Sequence, residues 1–290
     1  MMTPSKLQGS VRNISDTARW VAYFRAQETL RPDGLFRDPF AERLAGESGS
    51  GMAKSLTDGT KHQWAWATRT YLFDEFIDRE VQEGANLVVN LAAGLDARPY
   101  RMNLPGSLRW VEIDLPEILS YKAEILVNDR PRCAIERVAL DLTDLPKRRM
   151  FFEELNRQSS QVLVVAEGLL LYFDAGQVAS LARDLAACAH FMSWIIDLTS
   201  PGQLRLMQRT MGKQLGEAGA EFKFAPAEGA DFFVPYGWEP KDVQGLLKTA
   251  ARFNRPPREL LSLLPEPAGP PGNYPWSGVC LLGKRLLAQS

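Results

Sequence analysis

Between residues 86 and 114 the chain runs through Leu87-Val-Val-Asn-Leu91 and turns at Ala92-Ala93-Gly94. A helical stretch follows, and a second apolar run then ends on Asp114. Short apolar runs bounded by turn residues read as buried strands, and strand, turn, helix, strand is the right-handed crossover of a parallel sheet. The small residues of the turn let a ligand approach the backbone. An acid at the tip of the next strand, 20 residues beyond Gly94, can accept both hydroxyls of a ribose. This is half of a nucleotide-binding unit, and it fits an adenosine compound.

The turn narrows the choice. A dinucleotide site uses Gly-x-Gly-x-x-Gly, because a pyrophosphate sits almost on the backbone at a helix N-terminus. Here Gly94 is the only glycine of the three, with Ala92 in the first position and Arg98 near the third. No Gly-x-x-x-x-Gly-Lys-Ser/Thr run occurs, which excludes a P-loop. An adenosine ligand without phosphate suits this turn better, and S-adenosylmethionine (SAM) is the common one. An NAD-type cofactor and a ligand-free α/β core are the alternatives.

The rest of the chain alternates in the same way. Strands are predicted at 87–91, 108–113, 134–139, 161–166 and 190–197, with helical patterns near 97–104, 116–128, 146–157 and 175–187. Alternation with near-continuous apolar strands predicts a doubly wound parallel sheet whose strand ends share one ligand-binding rim. Asp114, Asp141 and Glu167 fall at or just after such ends. Residues 14–82, rich in aromatic side chains, and residues 200–237 break the alternation and read as caps over that rim. Residues 86–199 and 238–290 form the core, all within one domain of 290 residues. The proline-rich stretch 256–276 reads as extended loop, and 276–287 as a last strand.

Composition excludes several classes. With 45% apolar and 24% charged residues and a net charge of −1, the chain is an ordinary globular protein without a basic stripe for nucleic acid. No apolar run is long enough to span a membrane, and the first residues lack an export core, so a cytoplasmic protein is expected. Cys133, Cys188 and Cys280 are distant from one another and lack histidines at ligand spacing; they read as reduced thiols, with no metal site.

The segment Asn90-Leu-Ala-Ala-Gly-Leu-Asp-Ala-Arg-Pro-Tyr-Arg101 resembles the Gly-Ala-Gly-Leu-Asp-Thr-Arg signature of the leucine carboxyl methyltransferase-like family of SAM-dependent O-methyltransferases, whose bacterial members include polyketide O-methyltransferases. Arg37-Asp-Pro-Phe-Ala41, Val111-Glu-Ile-Asp-Leu-Pro116 and Val165-Ala-Glu-Gly-Leu-Leu-Leu-Tyr-Phe173 match in order, so the resemblance spans roughly residues 15 to 200. It departs at Ala92, where the family usually has glycine. The resemblance implies a seven-stranded, mostly parallel Rossmann-like fold of the class I SAM-dependent methyltransferases, with the final strand antiparallel at the sheet edge.

It also implies roles. Ala93, Gly94 and Gly168 would let the cofactor approach, and Asp114 with Leu115 would hold the ribose end. Asp141 would take the adenine amino group while Leu142 covers the ring. Glu167 would meet the ammonium of the cofactor, or else pair with a protein arginine. Arg69 would reach the cofactor carboxylate, with Arg25 as a second candidate. Asp96 and Arg98 match family positions but could equally serve structure. No catalytic group stands out: Tyr172, Tyr23 and His62 are weak candidates, and Trp20 could line the acceptor pocket. His190 reads as a strand-end residue. The expected activity is O-methyl transfer to a carboxylate or hydroxyl of a small molecule, polyketide-like compound or peptide, with a SAM-binding protein lacking turnover as a further alternative. Oligomeric state is not legible.

Overall fold

The computed structural model describes residues 14–56, 63–217, 219–267 and 269–285, and there each apolar run singled out above becomes a strand. In chain order the elements are α1 (Ile14–Leu30), α2 (Ala41–Leu56, kinked at Gly46), α3 (Gln63–Gln82), β1 (Leu87–Leu91), α4 (Arg98–Arg101), β2 (Arg109–Asp114), α5 (Pro116–Ile125), β3 (Ala134–Ala139) and α6 (Leu145–Arg157). They continue with β4 (Val162–Ala166), α7 (Ala175–Ala187), β5 (Phe191–Thr199), α8 (Pro201–Glu217), β6 (Trp238–Gly245), α9 (Leu246–Arg252) and β7 (Ser277–Lys284). Short 3-10 turns lie at Leu170–Tyr172, Gly229–Tyr236 and Arg258–Leu263.

The strands form one sheet in the order β3-β2-β1-β4-β5-β7-β6, parallel except for β7, which runs antiparallel to both of its neighbours. The strands flanking the switch point, β1 and β4, are buried at every position, as their unbroken apolar sequences require. The edge strand β3 alternates instead, with Ala134, Glu136 and Ala139 exposed. Helices α6 and α7 cover one face, where Phe152, Leu181 and Leu185 pack on Val164 and Ile196. Helix α3 covers the other, where Phe73, Phe76 and Ile77 pack on Val88, Val165 and Ile195. Asp144 caps α6, and Asp174 with Gln177 forms a capping box on α7, so each helix begins where a short polar side chain satisfies its free amides.

Three expectations change. The last strand is antiparallel, as the resemblance implied, but it lies inside the sheet; β6 forms the edge beyond it. Trp238-Glu-Pro-Lys-Asp-Val-Gln-Gly245 has no apolar run to announce a strand, because an edge strand needs only one inward face and tolerates Pro240 where its ladder shifts. The proline-rich stretch contains the 3-10 turn 258–263. Finally, segment 200–237 divides. Helix α8 with Ala220 and Phe222 covers the rim, whereas Phe224 and the turn 229–236 drop onto the sheet face, with Phe233 edge-on to Trp194 at 5.3 Å.

The edge is fastened by one side chain. Trp238 is fully buried, packs on Trp194 at 5.6 Å, and donates its indole N–H to the carbonyl of Ala182 at 3.0 Å. Trp238→Ala leaves a large cavity and removes the indole bond to α7, and should cost about 3–5 kcal/mol of unfolding free energy. Urea titration checks this; a loss under 1 kcal/mol would mean that β6 is not part of the cooperative core.

Candidate cofactor and acceptor site

A cavity opens at the C-terminal ends of β1, β2 and β4, the switch point where such sheets bind ligands. Its floor is the turn Ala92–Asp96 with Asp114, Leu115, Glu167 and Gly168. Its far wall is the cap, with Trp20, Trp66, Leu171, Tyr172 and Phe222. Of the residues expected at a cofactor site, Arg69, Ala93, Gly94, Asp114, Leu115, Glu167 and Gly168 line it, as do Tyr172 and the second-choice Arg25.

The turn is tightly made. Ala92 and Gly94 both have left-handed backbones, φ 50° and 48°. A β-carbon on Gly94 would also come 3.3 Å from that of Ala18, so α1 docks directly on the turn. The closeness of Gly94 thus serves the cap as well as any ligand. Asp114 closes the turn from β2: one carboxylate oxygen accepts the Gly94 amide at 2.6 Å and the other the Leu115 amide at 2.7 Å. Burial pushes its pKa up, while the two amides hold it down.

Beneath the turn lies a buried ion network. Arg98, 2% exposed, donates to Asp74 at 2.6 Å and Asp96 at 2.9 Å, and pairs with Glu167 at 2.8 Å. Asn90, the one polar residue of β1, donates to Asp96 at 2.8 Å. Glu167 also accepts from Arg69 Nε at 3.0 Å, and Arg69 Nη1 reaches Asp197 at 3.2 Å. Of the two partners anticipated for Glu167, the structure thus provides protein arginines. On the cap side, Arg25 joins Asp38 at 2.9 Å and the carbonyl of Leu95 at 2.6 Å. Burial favours the neutral acids, but the guanidinium charges around Asp96 and Glu167 hold both carboxyls below the ordinary range. In Asp197 burial wins and the pKa is raised.

The cap is stitched to the rim. Trp20 packs edge-on against Trp66 at 4.9 Å, and Arg69 lies over the ring of Trp66 at 4.7 Å. Tyr172 meets Phe222 at 5.4 Å and hydrogen-bonds Thr17 at 3.3 Å. The carbonyl of Leu171 accepts the Lys223 amide at 2.6 Å. Burial raises the Tyr172 pKa, so its hydroxyl stays protonated at neutral pH.

Other expectations are not brought together. Asp141 and Leu142 lie off the cavity wall. Asp141 is exposed and turns into its own loop, accepting from Thr143 N at 2.8 Å and Oγ1 at 2.7 Å, while Leu142 is core beneath α6. Tyr23 packs within the cap without lining the cavity. His62 falls outside the described residues. His190 sits at the opposite end of β5, bonded to Asn156 at 2.8 Å. Asp197 was not singled out from sequence, although it carries the same signal as Asp114, an acid at the end of an apolar strand. Among the described residues no group of His, Cys, Asp or Glu could hold a metal, and no helix is long and apolar enough to cross a membrane.

Fold and site together describe an α/β protein whose switch-point cavity has the turn Ala92–Asp96 and two acids on its floor and aromatic side chains on its roof. A family model of leucine carboxyl methyltransferase matches residues 18–186, and the chain belongs to that family. A protein of Mycobacteroides abscessus, named as a candidate S-adenosyl-L-methionine-dependent methyltransferase, is 34% identical over 190 residues, 60% of this chain and 61% of the relative. A Rhodococcus jostii protein with the same description is 39% identical over 142 residues, 46% of this chain and 48% of its own length. One from Frankia alni is 29% identical over 259 residues, covering 83% and 88%. The chain thus spans about half to three fifths of the first two relatives and most of the third. Among solved structures, a DUF574 family protein of Streptomyces avermitilis shares the fold with a TM-score of 0.59 at 13% identity, covering 92% of this chain and 97% of that one. A candidate methyltransferase of Thermobifida fusca does so at 0.57 and 14%, covering 98% of each.

Two tests follow from this geometry. Alanine in the left-handed region costs about 1–3 kcal/mol, and glycine gives back about 0.4–1 kcal/mol through its freer unfolded chain. Ala92→Gly should therefore raise the melting temperature by roughly 2 °C; a lower value would show that the methyl packs better than its strain costs. The second concerns acid. The folded pKa values of Asp96 and Glu167 lie below the ordinary 3.8 and 4.5, so their ionised forms stabilise the fold above that range and the contribution is lost as pH falls through it. Asp197 shifts the other way, so a single-site comparison isolates the effect. Asp96→Asn should be less stable than wild type at pH 7, and the gap should narrow between pH 5 and pH 3. An unchanged gap on denaturant titration would sink the ion-pair account.

Proposed function

We propose that the protein is a SAM-dependent O-methyltransferase acting on a carboxylate or hydroxyl of an apolar small molecule, with polyketide-like compounds and peptides in the same range. The observation that carries the reading is the pairing of an adenosine-type floor, Asp114 on the Ala92–Gly94 turn, with a wall of aromatic side chains across one cavity. Membership of the leucine carboxyl methyltransferase family supports it.

The residues present fit the cofactor. Asp114 spends one lone pair of each oxygen on a backbone amide, which fixes the carboxylate and leaves capacity to accept two ribose hydroxyls. Leu115, 39% exposed beside it, offers an apolar shelf for adenine, and a ring reaching past it toward the tip of β3 would meet Asp141 and Leu142. Glu167 suits the ammonium and Arg69 the carboxylate of the amino-acid end, the planar guanidinium being the group for carboxylate recognition. When bound, SAM supplies an already activated methyl on a sulfonium, so the chain has mainly to orient an acceptor and exclude water. Trp20, Trp66 and Phe222 do the second. Tyr172, protonated and at the cavity wall, gives its one hydroxyl hydrogen to Thr17 Oγ1, and by turning that hydrogen from Thr17 to the acceptor oxygen it can aim it. An acceptor carboxylate arrives ionised and needs no base.

S-adenosylhomocysteine (SAH) at a hundred times its dissociation constant should stabilise the protein by about 2.7 kcal/mol, a clear thermal shift, whereas NADH should give none. Asp114→Ala should weaken SAH at least tenfold, as expected for about 1.5–3 kcal/mol of hydrogen bonding to a charged group, and should also lower the melting temperature, because the Gly94 and Leu115 amides lose their acceptor. A shift with NADH alone would favour an oxidoreductase. SAH binding without turnover on any phenol, alcohol or carboxylic acid offered would favour a SAM-binding protein.

A further inference from the structure

Asp197 does not line the cavity, yet it touches two residues that do. It stands near the end of β5, 8% exposed. Oδ1 accepts the amide of Gly168 at 2.6 Å, and Oδ2 accepts Arg69 Nη1 at 3.2 Å. Gly168 is the left-handed residue (φ 69°) in the turn that follows β4, so Asp197 holds that turn by its backbone. Arg69 gives Nε to Glu167 and Nη1 to Asp197, and among the described residues Nη2 donates no hydrogen bond. Trp66 lies against the guanidinium at 4.7 Å. Two carboxylates and a ring therefore fix the plane of the group while one nitrogen stays unspent beside the cavity. Removing Glu167 would still leave Asp197; removing Asp197 would leave the guanidinium pivoting on Nε.

We propose that Asp197 is a positioning residue for the cofactor's amino-acid end, acting by holding Arg69 Nη1 so that the free edge of the guanidinium meets the cofactor carboxylate. This rests on the SAM reading above, and it assigns a function to an acid outside the cavity. It also explains why an acid is buried here at all. A carboxylate below the cavity wall is costly unless it is paired, and its two partners are both residues that line the cavity. The short Asp197 side chain matters because it reaches a backbone amide and a guanidinium at once, which ties the direction of Arg69 to the position of Gly168.

The test compares two ligands that differ only at the end in question. SAH carries the amino-acid tail; 5′-methylthioadenosine carries the same adenosine and thioether without it. Asp197→Asn keeps an oxygen for the Gly168 amide and removes the charge from Arg69. It should weaken SAH about tenfold, the size seen when a partner behind a ligating group is lost, and leave 5′-methylthioadenosine within twofold. In an Arg69→Met background the same substitution should change SAH affinity by less than twofold, because the group through which it acts is gone. Should Asp197→Asn fail to fold, Asp197→Ser carries the same comparison. Equal weakening of both ligands would reduce Asp197 to a fold residue, and unchanged or tighter SAH binding would overturn the proposal, as would additivity with Arg69→Met. If wild type binds neither ligand, the SAM reading itself fails, an outcome distinct from all of these.

Discussion

The site depends on one buried guanidinium. Arg98 presents a rigid fork whose Nε reaches Asp74 from α3, whose Nη1 reaches Asp96 from the turn after β1 and Glu167 from the tip of β4, and whose Nη2 reaches the carbonyl of Thr70. A lysine, with its donors on one nitrogen, could not span these partners from separate nitrogens in one plane. Around this centre the pairs continue outward, through Arg69 to Asp197 and through Arg101 to Asp74 and Asp38, where Arg25 brings in α1. Deleting one partner in such a network leaves an uncompensated buried charge and costs about 3–5 kcal/mol, more than its net stabilising value when intact. The network is therefore better understood as a device for specifying geometry than as a source of stability.

Its charge also says something about what it accommodates. Arg25, Arg69, Arg98 and Arg101 face Asp38, Asp74, Asp96, Glu167 and Asp197, and the adjoining Lys122 and Arg137 face Glu112, so these charges balance. Asp114 at the rim adds one negative charge in excess. SAM carries one net positive charge, from a sulfonium, an ammonium and a carboxylate, and complements that excess. NADH, with its two phosphates, would compound it. The electrostatics thus agree with the missing glycines of the turn, an independent argument against a pyrophosphate.

The parts of the fold that are written locally are legible in the sequence. Apolar runs such as Val162–Ala166 are legible because burial on both sheet faces is written in consecutive residues. β6 was not legible because an edge strand with Pro240, Lys241 and Asp242 needs its partner β7, some forty residues on, before it looks like a strand. The same limit applies to the site. Asp114 stood out because motif and strand tip coincide. Asp197 has only the strand tip, and its meaning appears when Arg69, 128 residues away, lies on it. Asp141 has the motif order without a place on the cavity wall: one of its carboxylate oxygens accepts from Thr143 in a local turn, the ordinary arrangement of aspartate after a strand, and the other is not engaged there.

The cap and the cofactor floor are one construction. Ala18 fills the space that a side chain on Gly94 would need, Arg25 ties α1 to the carbonyl of Leu95 on the turn, and Trp66 supports Arg69. A ligand that orders the turn therefore bears on α1 through packed contacts and not through a hinge, and α1 carries Trp20 on the acceptor wall. On the proposed function, acceptor specificity lies in positions such as Trp20 and Phe222, which touch none of the charged side chains beneath, whereas Trp66 lies on Arg69 and cannot change without disturbing it. On that reading floor and roof vary separately only at positions outside the contacts that join them, which are Ala18 and Arg25 of α1 on the turn and the ring of Trp66 on Arg69.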